Sequence, residues 1–87
     1  MTKIELKIDR FGIKRYFIKG TNIYHRDDGP AVEYTNGDKY WIQYGKRHRL
    51  DGPAIEFSNG RKEFWINDKR IKDVNSIEEA IIKSLLE

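Results

Sequence analysis

The chain has 87 residues, no cysteine, and 17 Lys and Arg against 14 Asp and Glu, for a formal net charge of +3. That length allows a single domain with a small core, and the lack of cysteine excludes disulfides, a thiolate metal site and a catalytic thiol. No apolar run approaches the ~20 residues of a membrane span, and eleven aromatics exceed what a disordered tail carries. The opening stretch MTKIELKIDR alternates apolar and charged residues and lacks an apolar signal core, so the expected setting is a reducing cytoplasm.

The first expected element is a strand in which Ile4, Leu6 and Ile8 alternate with Lys3, Glu5, Lys7 and Asp9. Arg10-Phe11-Gly12 then turns the chain into a second strand over Ile13–Lys19. From His25 onward the chain repeats itself. His25-Arg26-Asp27-Asp28-Gly29-Pro30-Ala31 recurs after 23 residues as His48-Arg49-Leu50-Asp51-Gly52-Pro53-Ala54, and the match runs without a gap to the pair Arg47/Arg70. Twelve of those 23 pairs are identical, and exchanges such as Val32/Ile55, Tyr34/Phe57 and Trp41/Phe64 keep size and shape. A period of this length marks a duplicated supersecondary unit. A weaker third copy is expected upstream, with Tyr16-Phe17-Ile18 in the place of Lys39-Tyr40-Trp41.

Each unit reads as a β-hairpin. Ala31–Thr35 carries the β-branched and aromatic side chains that suit a half-buried strand. Asn36-Gly37 supplies two residues tolerant of positive φ, and Asp38–Tyr44 returns as the partner strand. Asp28-Gly29-Pro30 and Asp51-Gly52-Pro53 read as turns, while Gly45-Lys46 and Asn67-Asp68 close the two units. After Lys72 the period changes. Asn75 or Ser76 can cap a helix, Ser76-x-x-Glu79 has capping-box spacing, and Ile77, Ile81 and Leu85 make one face apolar. A helix of about eleven residues is marginal alone and needs the sheet, or a second copy of the chain, to dock on. The expected fold is mainly β: an antiparallel meander of roughly six to eight short strands with one C-terminal α-helix. Its parts are an N-terminal strand pair (1–22), two hairpin repeats (23–46 and 47–72) and the helix (75–87), in one domain spanning 1–87.

The two HRxDGPA units, each followed by Asn-Gly and an aromatic strand, resemble the hairpin repeats of small phage and bacterial proteins, which are distantly similar to MORN-type repeats. The resemblance covers about Ile13 to Lys72. In size, charge and repeat type the chain is also similar to the RNA-binding inhibitors that T-even-like phages direct against a host ribonuclease toxin. That likeness implies a counter-defence protein acting in the host cytoplasm.

For catalysis, His25 and His48 are the only histidines, each followed three residues later by an aspartate. A His–Asp pair can orient a general base, and a duplicated one can hold a metal. In-register duplication instead favours a structural role in which His, Arg and Asp bond each other and stitch one hairpin to the next. No phosphate loop, H-E-x-x-H or serine elbow is present, so neither enzymatic activity nor a cofactor is expected.

For nucleic acid, the charge is unevenly distributed. Residues 1–26 hold seven cations against two acids and residues 46–72 hold eight against four, whereas both intervening and trailing stretches are acidic. Stacked hairpins should gather the repeat-equivalent clusters at Lys46 and Lys69 on one rim, where phosphates are attracted through counterion release. The expected phosphate contacts are Lys14, Arg15, Lys46, Arg47, Arg49, Lys69 and Arg70, with RNA favoured because no basic recognition helix exists. A protein-contact reading stands beside it. Tyr40, Tyr44 and Trp65 are typical interface anchors, and self-association is one way of covering the strand edges of an open meander.

Overall fold

The computed structural model of the chain describes residues 2–86 and shows a mainly β protein with a single C-terminal helix. The expected boundaries at Met1 and Glu87 lie outside the described residues. Strand β1 (Ile4–Ile8) pairs with β2 (Lys14–Ile18), which leads to β3 (Val32–Glu33) and β4 (Lys39–Tyr40). A small hairpin follows, β5 (Ile42–Gln43) with β6 (Lys46–Arg47), and then β7 (Ile55–Glu56), β8 (Lys62–Ile66), β9 (Lys69–Ile71) and helix α1 (Ile77–Leu86). All pairings are antiparallel, and the larger sheet has the order β1-β2-β3-β4-β7-β8-β9.

The expected return strand over 38–44 is divided at Trp41 into β4 and β5, for a definite reason. Trp41 N–H donates to Ala54 O (2.7 Å) and Trp41 O accepts from His48 N–H (3.1 Å), so a seven-residue loop, His48–Ala54, leaves and rejoins the ladder opposite one residue. The loop His25–Ala31 does the same opposite Tyr16, which donates to Ala31 O (2.8 Å) and accepts from His25 N–H (3.1 Å). A third copy of the unit therefore exists, in a different register from the expected one. Tyr16 and Phe17 take the places of Trp41 and Ile42, because the first tip is two residues longer: Phe17 faces Tyr24 where Ile42 faces Arg47.

The turns at Asn36-Gly37 and Asn59-Gly60 also differ from the two-residue form expected. Gly37 and Gly60 have φ of 101° and 91°, while the preceding asparagines stay at negative φ. Gly37 N–H donates to Tyr34 O and Tyr34 N–H to Asp38 O, a three-residue loop with glycine in the left-handed position. Asn36 contributes through its side chain instead, accepting Asp38 N–H at 2.9 Å.

Each excursion is pinned by its arginine. Arg26 Nε donates to Asp28 (3.0 Å), its Nη1 donates to Pro30 O (3.1 Å) and Glu33 (3.2 Å), and its guanidinium lies 4.0 Å from the centre of the Tyr16 ring. Arg49 repeats every contact on Asp51, Pro53 O, Glu56 and the ring of Trp41. The glycine of DGPA is needed for close approach: a Cβ on Gly29 or Gly52 would meet the guanidinium carbon at 2.9 or 2.8 Å. This is why Arg, Asp, Gly, Pro and the following Glu recur together.

The core lies on the sheet face away from these loops, where Val32 and Ile42 pack with Ala31, Ile13, Tyr24 and Tyr40. Helix α1 closes the far end by packing on β8 and β9. Ser76 Oγ accepts Glu79 N–H (3.2 Å), and Glu79 reaches back to the N–H of Asn75 (3.0 Å). Only the first half of the expected apolar face is used. Ala80 is fully buried, whereas Leu85 is 79% exposed. Among the described residues no helix is long and apolar enough to cross a membrane.

Candidate nucleic-acid interface

Side chains alternate between sheet faces, and the register sorts the charges. Lys14, Glu33, Lys39, Glu56 and Lys62 stand directly opposite one another across five neighbouring strands, an alternating row on the face that carries the loops. Arg26 and Arg49 add their bonds to Glu33 and Glu56 on this face. It also holds two grooves of one design. A groove of about 680 Å³ lies between the loops, with Trp41 and Arg49 in its wall and Asp27, Asp28 and Asp51 at its rim. Its counterpart of about 470 Å³ is lined by Tyr16, Arg26 and the β1 residues Ile4 and Leu6. Carboxylates at both rims disfavour phosphate there.

The next row, Arg15, Val32, Tyr40, Ile55 and Glu63, lies on the opposite face. At its β8 end, cations and aromatics come together. The Arg47 guanidinium sits 3.7 Å from the centre of the Trp65 ring, Arg70 is the cross-strand partner of Trp65, and the indole N–H donates to Glu63 at 3.0 Å. Arg70 approaches Glu63 at 3.6 Å and Arg47 bonds Asp68 at 2.8 Å. That hydrogen bond from Arg47 is the main reason the Asp68 carboxyl is held below its ordinary value. Burial pushes the neighbouring Tyr40 phenol up; Tyr34, Asp38 and Glu63 push the same way, while Arg47 opposes.

Of the seven cations expected to contact phosphate, four gather at the tips of the second and third hairpins. These tips are joined directly: Asp68 N–H donates to Arg47 O at 2.9 Å. Lys46 and Lys69 stand opposite Gln43 and Ile66, equivalent places in consecutive hairpins. Alternation sends Arg47 and Arg70 to the Trp65 face and Lys46 and Lys69 to the other, so the four cations edge one margin from both sides. The other three lie elsewhere. Lys14 belongs to the alternating Lys–Glu row, and Arg15, bonded to Asp9 at 2.7 Å, is beside it at the opposite end of β2 from the tips. Arg49 is fixed in its loop.

Tyr40 packs against the core, Trp65 lies under Arg47, and Tyr44, at a hairpin tip, is 61% exposed. His25 and His48 each accept a backbone N–H from the next tip at Nδ1, from Tyr44 and Asn67 respectively, both at 2.9 Å. Asp68, which the sequence marks only as a turn residue, and Glu63, which it does not mark, balance the arginines. The only signal for Asp68 is that it occupies the left-handed position held by Gly45 in the previous unit. Among the described residues no group of three or more His, Asp or Glu could hold a metal ion. No family model, curated protein or solved structure matches the chain.

Proposed function

We propose that the chain is a non-enzymatic RNA-binding protein whose contact surface is the margin formed by Lys46, Arg47, Lys69 and Arg70 around Trp65. The observation that carries this reading is the placement of Arg47 on the Trp65 ring with Arg70 beside it on the same face. Adjacent cations offer phosphate contacts, and the Arg47 guanidinium, itself stacked on Trp65, offers a plane for an unpaired base within one nucleotide's reach, the combination that suits single-stranded RNA. The ion pairs with Asp68 and Glu63 orient the two guanidiniums and leave them 40% and 39% exposed, so both retain donors toward solvent.

The resemblance to phage inhibitors of a ribonuclease toxin supports placing such binding in counter-defence, with a host ribonuclease as the protein engaged. A contact made by aromatics alone is less favoured, because Tyr40 is committed to the core and Trp65 to Arg47. The test is fluorescence anisotropy with an unpaired RNA oligonucleotide on the wild type, the Arg47→Gln/Arg70→Gln variant and Lys14→Gln. Markedly weaker binding by the double variant, with Lys14→Gln unaffected, supports the reading. Equal binding by all three, or none by the wild type, refutes it. Capture of a host protein that survives ribonuclease treatment and high salt would point to the protein-only contact.

A further inference from the structure

The two ends of the strand stack are finished differently. At the β9 end, α1 packs on β8 and β9, and Lys83 Nζ donates to Lys72 O. At the other end β1 is the terminal strand, paired only with β2, and among the described residues no further strand pairs with its outer side. Lys3 O accepts from Lys19 N–H, and Asp9 N–H donates to Ile13 O, so the odd-numbered residues of this ribbon bond inward. By the alternation of an antiparallel ladder, Ile4, Leu6 and Ile8 therefore direct their N–H and C=O groups outward. Two of these also expose apolar side chains, Leu6 at 44% and Ile8 at 57%. An uncapped edge of this kind is a template for another strand.

We infer that a second copy of the chain docks on this edge, antiparallel, with Leu6 opposite Leu6 of the partner subunit. Charge selects both the partner and the register. In Lys3-Ile4-Glu5-Leu6-Lys7-Ile8-Asp9, a two-fold at Leu6 sets Glu5 against the partner's Lys7 and Lys7 against the partner's Glu5. Ile4 then meets Ile8 of the partner subunit on the opposite face. All of β1 is used, and about six backbone hydrogen bonds form from the outward groups. Shifting the two-fold to Glu5 opposes two glutamates, and shifting it to Lys7 opposes two lysines. Registers that pair odd with even residues misalign the outward donors and acceptors. Directly opposed unlike charges stabilise a ladder and like charges destabilise it, so the central register is selected on both grounds. The edge is short, so the dimer is concentration-dependent rather than obligate. Its two-fold is perpendicular to the sheet, which sets both Trp65 faces on one side of a continuous surface.

The experiment is sedimentation equilibrium across the micromolar to submillimolar range, without RNA, with circular dichroism to confirm that each variant folds. The wild type should move from 10.4 kDa toward twice that mass as concentration rises. Glu5→Lys and Lys7→Glu, each of which creates like-charge pairs, should each weaken association by about tenfold or more. Mixing these two variants, or joining both substitutions in one chain, should restore it. A wild type that stays monomeric, association indifferent to either reversal, or failure of the mixture and the double variant to recover would each overturn the inference.

Discussion

The backbone N–H of Tyr44 donates to Nδ1 of His25 at 2.9 Å, and 23 residues later Asn67 makes the same bond to His48. Each histidine thus ties the start of one loop to the tip of the following hairpin. Because Nδ1 accepts, the proton of His25 resides on Nε2, which donates to Asp27 at 2.9 Å. His25 has no exposed surface, and the bond also holds Tyr44 at φ 50°, where a bulky side chain is strained. His25→Ala should therefore remove the acceptor of that N–H and cost about 1–3 kcal/mol. His48→Ala, at a more open site, should cost less. Denaturant unfolding of the two variants checks the order, and an equal or reversed pair would count against the strut.

A second expectation concerns the DGPA loops. Gly52→Ala places a methyl group 2.8 Å from the Arg49 guanidinium carbon and should expel that side chain from its bonds to Pro53 O and Glu56. The expected loss is about 1–3 kcal/mol, the usual range for breaking a part-buried network. In an Arg49→Ala background the same substitution should cost much less, since its main clash has gone. Additive losses would show that the glycine serves some other purpose.

Much of this order is legible in the residues. The 23-residue period exposes stacked hairpins, and the joint recurrence of Arg and Asp marks a pair that does bond, whereas His25 bonds Asp27 rather than the repeated Asp28. The apolar spacing after Ser76 gives the helix. What the sequence hides is the excursion opposite Trp41, since nothing local shows that His48 and Ala54 bracket a single residue of another strand. It hides equally that Leu85 stays exposed and that Lys14 is balanced by Glu33. Charge runs locate cations along the chain, whereas pairing register decides which face they reach. Arg47 and Arg70 share the face of Trp65 for that reason alone.

Two carboxylates should show acid-shifted titrations. Hydrogen bonds from Arg15 hold Asp9, and from Arg47 hold Asp68, below their ordinary value of 3.8. A depressed folded-state value means that their stabilisation is present above the unfolded-state value and lost as pH falls through the lower one. Carboxyl carbon shifts followed by NMR should give midpoints below the usual aspartate range for both. Arg47→Gln should return Asp68 toward it and leave Asp9 unchanged. A midpoint at the ordinary value in the wild type would contradict the pairing.

The helix cap offers an independent check on how α1 closes the stack. Ser76→Ala removes the acceptor for Glu79 N–H and should cost about 0.5–2 kcal/mol. Hydrogen exchange should then show faster opening of α1 and of the adjoining β9, with β1–β4 unaffected. Uniform loss of protection would mean that the helix is integral to the whole sheet rather than a terminal cover.

The most direct measurement for the function is the salt dependence of RNA affinity. Contact through Lys46, Arg47, Lys69 and Arg70 predicts that the logarithm of the association constant falls with the logarithm of salt concentration. The slope should be about −3, from ~0.7 per phosphate on a single strand. It should shrink to about half that in the Arg47→Gln/Arg70→Gln variant. A slope near zero, or one that the double substitution leaves unchanged, would contradict binding at this margin.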